Sequence, residues 1–141
     1  MIRLSIADAL TKIAAKVTSI GQLVVAPFAY DEAKFQELDA VNTAFSFFPP
    51  IAGQQFVITG LRIKASRSVS TTVDASIIIY EGDSDATTTV DRTLYEDALV
   101  RGEFADFVPI NILVNKAKFV NAKTSDATVF MNIVGYYIPI V

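Results

Sequence analysis

Hydrophobic positions follow two different periods along this chain. In the first twenty residues Ile6, Leu10, Ile13, Val17 and Ile20 recur at spacings of 4, 3, 4 and 3, which places them on one stripe of a helix. Ser5 with Asp8 forms a loose capping box, Asp8 and Lys12 sit one turn apart in the favourable order, and Gly21 stands where a C-terminal cap belongs. The pattern predicts a helix over about 3–20, within an N-terminal unit of residues 1–21. From Leu23 onward the period shortens to two. Strands are expected at Leu23–Tyr30, Lys34–Leu38, Thr43–Phe48, Gln55–Ser66, Asp74–Glu81, Arg92–Val100, Phe107–Val114, Lys118–Ala122 and Ala127–Ile138. Short strands with frequent turn residues between them indicate an antiparallel sandwich or barrel. The expected fold is mainly β: a jelly-roll-like antiparallel sandwich of about eight strands over residues 22–141, preceded by the α-helix.

Two strands share a local form. Ile58-Thr59-Gly60-Leu61-Arg62-Ile63 and Ile133-Val134-Gly135-Tyr136-Tyr137-Ile138 both read Ile-x-Gly-x-x-Ile. In the first, Phe56 and Ile58 keep one parity while Leu61 and Ile63 keep the other, so the glycine marks a β-bulge or bend. Pro109 lacks a ladder donor, which puts its strand at an edge or starts it there. Asn115-Lys116-Ala117 suits a tight connection.

Composition narrows the function. The chain of 141 residues is 52% hydrophobic, with 10 Phe and 5 Tyr, enough for one packed domain. Its mean hydropathy of +0.42 exceeds what a small self-contained soluble domain needs, so some apolar surface is expected to meet another subunit. The apolar runs fall well short of the roughly 18–20 residues of a spanning helix, and no membrane partner is expected. Net charge is −3, with 12 basic residues scattered along the chain, which lacks the footprint of a nucleic-acid binder.

With no Cys and no His, disulfides, thiolate or imidazole metal sites and every Cys- or His-based nucleophile drop out. Carboxylates gather in expected loops: Asp31-Glu32, Glu81 with Asp83 and Asp85, Glu96-Asp97, and Glu103 with Asp106. These read as solvated turn residues, and nothing marks a catalytic pair. Asp83 and Asp85 are the best oxygen ligands for a cation, yet the calcium-loop pattern is missing. The expectation is a protein without catalytic residues, metal or cofactor, and not an enzyme.

Aromatic residues carry the remaining signal. Phe47-Phe48 and Tyr136-Tyr137 each set neighbouring rings on opposite faces if strands alternate. Some rings then face away from the sandwich core. Phe28, Tyr30, Phe48, Tyr136 and Tyr137 are the expected interface aromatics. Ile6, Leu10, Ile13, Val17 and Ile20 are the expected seam, which has three readings. The helix packs on its own domain, forms a short parallel coiled coil, or anchors in a partner. Ile at both seam positions favours a trimer over a dimer.

The segments Gly21–Phe28, Phe47–Pro50 with Gly53–Gly60, Ile112–Asn115 and Gly135–Pro139 resemble small structural proteins of tailed bacteriophages. The resemblance implies a virion-surface sandwich, either a capsid decoration (cement) protein or a head- or tail-fibre component. Its partners would be further copies of itself and the major capsid protein or another virion protein. The alternative is a fibre-associated module that binds a receptor or glycan by stacking exposed Tyr and Phe on sugar rings.

Overall fold

The computed structural model describes residues 16–17, 23–24, 32–66, 74–100, 102–126 and 128–140. β1 (Lys16–Val17) and β2 (Leu23–Val24) form a small antiparallel pair. Eight strands build the body: β3 (Glu32–Leu38), β4 (Phe45–Phe48), β5 (Gln54–Ala65), β6 (Ala75–Gly82), β7 (Arg92–Leu99), β8 (Phe104–Leu113), β9 (Phe119–Thr124) and β10 (Val129–Pro139). The expected strands from Lys34 onward therefore all form, within a few residues of the bounds read from the period-two pattern.

One sheet has the order β3-β10-β5-β8 and the other β4-β9-β6-β7. Taken inward from both ends of the body, β3 pairs with β10, β4 with β9, β5 with β8 and β6 with β7, all antiparallel. Successive pairs alternate between the sheets. This is one long hairpin rolled into a sandwich, the wiring of a jelly roll.

Alternation explains which faces meet. Ala75, Ile77 and Ile79 of β6 and Val120 and Ala122 of β9 face Leu61, Ile63, Met131 and Ile133 of the other sheet in one buried cluster. A buried aliphatic side chain contributes roughly 1.5–3 kcal/mol. The inner faces supply most of the buried apolar side chains, and Val57 and Tyr80 are buried on the outer faces.

The shared Ile-x-Gly-x-x-Ile segments meet at one irregularity. Gly60 pairs with Val134, and Gly135 pairs with Ile58, with the register slipping between Val134 and Gly135. Thr59 is the extra residue, so Phe56 and Ile58 face inward before it and Leu61 and Ile63 after it, as the parity switch requires. Pro109 lies on β8, an edge strand. The turn at Asn115–Lys118 closes with Lys118 N–H donating to the Asn115 carbonyl at 3.3 Å.

Two expectations change. Val17, placed on the helical stripe by sequence, is extended and pairs with Leu23; β-branched valines on both sides of this pair favour extended backbone. The rest of the stripe, Ile6, Leu10, Ile13 and Ile20, lies outside the described residues. Phe47 and Phe48 do not face opposite ways. The register of β4 with β9 slips between Ser46 and Phe48, and both rings enter the core at 1% and 4% exposure. A bulge cancels the alternation on which the outward placement of Phe48 depended.

Candidate functional site

Two features of the sandwich carry chemistry beyond the core. The first is a clamped loop over the β4-β9-β6-β7 sheet. Tyr80 and Asn121 are opposite each other on its outer side, and both are fully buried. The β6–β7 connection folds back to cover them. The Tyr80 hydroxyl donates to the Thr87 carbonyl at 2.7 Å, Asn121 Nδ2 to the Ser84 carbonyl at 2.8 Å, and Lys123 Nζ to the Thr88 carbonyl at 2.9 Å. Lys123 also lies 5.4 Å from the Tyr80 ring centre, within cation–π range. A Cβ on Gly82 would come within 2.5 Å of Thr87 Cγ2, so the missing side chain lets the loop settle.

The base of this loop is ionic. Glu81 is buried, which corrects its reading as a solvated turn carboxylate. It accepts from Arg92 at 2.5 Å, from the Asn115 backbone N–H at 2.7 Å and from Asn115 Nδ2 at 2.9 Å. Arg92 also donates to the Leu113 carbonyl at 2.6 Å. Lys118 spans Asp83 at 2.5 Å and Asp91 at 2.6 Å, holding the two ends of the loop. Those carboxylates keep the Lys118 ammonium charged well above the ordinary lysine range, through hydrogen bonds to Asp83 and Asp91. Asp83 is therefore engaged by a lysine, while Asp85 is exposed. No group of three or more metal-ligating side chains gathers among the described residues. The cluster fastens two loops to the end of the sandwich.

The second feature is the outer face of the β3-β10-β5-β8 sheet. Its cross-strand rungs follow from the register. Phe130 lies between Glu37 and Lys64, and Asn132 between Phe35 and Arg62. Val134 lies between Ala33 and Gly60, with Pro109 beyond Gly60. Val57 is flanked by Tyr136 and Leu113. Phe35 is 62% exposed, and its ring stacks on Phe130 with centroids 6.2 Å apart. Leu113 is also exposed. The face thus carries two apolar groups, Phe35 with Phe130 and Val134 with Tyr136, Val57 and Leu113, separated by Asn132 and Arg62, with Glu37 at the β3 edge and Lys64 on β5.

Of the expected interface aromatics, Tyr136 belongs to this outer face. Tyr137 turns inward, packs edge-on against Phe56 at 4.8 Å and donates to the Pro49 carbonyl at 2.7 Å. Phe48 stacks on Phe56 at 4.0 Å in the core. Phe28 and Tyr30 lie outside the described residues. Phe35 and Phe130 were not among the sequence candidates. The available signal was a lone aromatic in the polar run Lys34-Phe35-Gln36-Glu37, but its pairing with Phe130 needs the register.

Three tyrosines hold their protons tightly. Burial first, then the charge of Glu32, pushes Tyr137 up to about 12. Tyr95 rises to about 12 through burial, its hydrogen bond to Asp97 and the charge there. Burial raises Tyr80 against the opposing hydrogen bond of Asn121. A phenol whose folded pKa exceeds its unfolded value near 10 stabilises the fold fully below pH 10. For Tyr95 and Tyr137 that contribution is lost as pH rises from about 10 to about 12. Spectrophotometric titration should show these phenols ionising late or together with unfolding. Early, independent ionisation of all of them in the folded protein would contradict this.

The fold and these surfaces define a small antiparallel β-sandwich with one loop-clamped outer face and one that exposes Phe35 and Leu113. No family model and no curated protein matches the sequence. Among solved structures, a chain from the disulfide-linked pili of Bacillus endospore appendages aligns at 14% identity with a TM-score of 0.44. It covers 77% of this chain and 87% of its own length. A chain from the infectious bursal disease virus Gx strain aligns at 12% identity with a TM-score of 0.32, covering 79% of this chain and 37% of its own.

Proposed function

We propose that the chain is a non-enzymatic structural module of a tailed-phage virion that self-associates and docks on the particle surface as a capsid decoration protein. The observation that carries this reading is the apolar outer side of the β3-β10-β5-β8 sheet, on which Phe35 and Leu113 are exposed. The strand register places Phe35, Phe130, Val134, Pro109, Leu113 and Tyr136 on the side of the sheet that faces away from the core cluster. Apolar surface beyond the needs of the fold is what an assembly module carries. Around the clamped loop, Glu81, Asp83, Asp91, Lys118 and Lys123 are engaged with other side chains or with backbone, which supports a holding role over a chemical one. The likeness of the Gly21–Phe28 and Gly135–Pro139 segments to phage structural proteins supports the virion setting. Many copies adding weak contacts between neighbouring capsomers would stabilise a shell through multivalency.

The test is imaging of intact particles from the phage that carries this chain. Regular density of the sandwich on the shell is the expected result. Density at a fibre tip would favour the receptor-binding reading, and absence from the purified particle would overturn the virion role. Deleting residues 1–20 then asks whether the Ile6–Ile20 seam is needed. Particle binding and oligomeric state should both weaken, and a truncated protein unchanged in both would remove the seam from the proposal.

A further inference from the structure

A sandwich of two open sheets has four edges, and unpaired edges are templates for pairing with other chains. Three of the four are blunted here. On β4 the Ser46 carbonyl is covered by Lys34 Nζ and Gln36 Nε2 reaching across from β3. On β7 the Ala98 N–H is taken by the Asp97 side chain at 2.8 Å, and the strand's pairing slips at Ile79/Tyr80. β8 carries Pro109 and two register shifts. β3 carries charges, including Lys34 on its inward parity, but none of these backbone devices. Its seven residues pair with β10 in unbroken register from Glu32 to Leu38, without Pro or Gly, and no described strand lies on its other side.

The sequence of β3 also specifies how it can pair with itself. A two-fold axis keeps the outer face outward, so only residues of like parity can oppose each other. Centring the axis on Phe35 opposes Phe35 to Phe35, Lys34 to Gln36, Ala33 to Glu37 and Glu32 to Leu38. All seven residues pair, and no like charges face each other. Centring it on Lys34 sets two ammonium groups opposite one another, which is destabilising. Centring it on Ala33 or Gln36 leaves part of the strand unpaired. In the Phe35 register the existing stack of Phe35 on Phe130 extends into a line of four rings.

We infer that two copies of this chain join β3 to β3, antiparallel about a two-fold axis at Phe35, and fuse their four-stranded sheets into one of eight. The inference rests on the assembly reading above and names the surface by which copies meet; it puts a dimer ahead of the trimer expected from the N-terminal stripe. Backbone hydrogen bonds supply the affinity and the central rings fix the register, the mode of β-augmentation.

The absence of cysteine makes single-cysteine crosslinking a direct test in the full chain. Phe35→Cys should give a covalent dimer with a short thiol crosslinker. Ala33→Cys and Glu37→Cys should each fail alone and crosslink when mixed. By sedimentation, Phe35→Lys and Phe35→Glu should each be monomeric, and their equimolar mixture should recover the dimer. Phe35 is largely exposed, so these variants keep the fold, which thermal melts would verify. A wild-type monomer at every accessible concentration, a dimer indifferent to Phe35→Lys, or self-crosslinking of Ala33→Cys would each overturn the pairing. A monomer that still decorates particles would sink this inference alone, whereas an intact Phe35-centred dimer that binds no particle would sink the virion role alone.

Discussion

Gly135→Ala should be among the most damaging single substitutions in the described fold, costing about 3 kcal/mol and lowering the melting temperature by roughly 10 °C at this chain length. A Cβ there would sit 2.1 Å from the Val57 carbonyl oxygen and 2.6 Å from Phe56 Cζ. The first obstacle is backbone in the central β5–β10 pairing and cannot swing aside. The second is a core ring already packed between Phe48 and Tyr137. Relief would require β5 and β10 to move apart at their bulge, next to the residues that set Tyr136 outward and Tyr137 inward. Gly53 provides the comparison. Its φ of +76° strains an alanine, but nothing lies within 4 Å of the added atom, so Gly53→Ala should cost only about 1 kcal/mol. Equal losses in denaturant melts of the two variants would mean that β5 and β10 do not approach as closely as described.

That bulge was legible before the fold was known, because Gly60 stands where the apolar parity of β5 reverses. The strand frame was legible for the same reason: period-two alternation is a local property of the chain. What escaped was set by distant partners. Phe47-Phe48 has no glycine to announce a bulge, and the slip at Ser46/Phe48 is visible only against β9. Glu81 stands beside Gly82, Asp83 and Asp85 and so looked solvated, yet its partners come from β7 and from Asn115, 34 residues away. The outer-face ring pair was missed likewise. Phe35 and Phe130 are far apart in sequence, and only the β3–β10 register brings their rings together. Side-chain chemistry at the site depends on register more than on composition.

Arg92→Met should cost about 3 kcal/mol, at the low end for breaking a buried ion pair, with the loss read from denaturant unfolding. The guanidinium is 43% exposed, whereas its partner Glu81 is 1% exposed. Removing the arginine therefore strands a carboxylate that cannot reach water, while removing the carboxylate frees an arginine that can. Asn115 still donates twice to Glu81, which keeps the loss from the top of the range. The Leu113 carbonyl also loses its donor, so the β8–β9 connection should loosen along with the β6–β7 loop. Glu81→Gln should be milder, at about 1–2 kcal/mol, because the amide keeps one acceptor for the Asn115 donors and carries no charge. The double variant separates the causes. If the penalty of Arg92→Met is an uncompensated buried charge, Glu81→Gln in the same chain should recover part of it, giving a favourable coupling energy. Strict additivity would mean that the arginine acts through packing and the Leu113 bond instead. Lys118→Ala, which removes the more exposed ion pairs to Asp83 and Asp91, should leave global unfolding nearly unchanged. Its effect should instead appear as faster amide exchange along the β6–β7 loop, since that lysine joins the loop's two ends without supporting the core beneath.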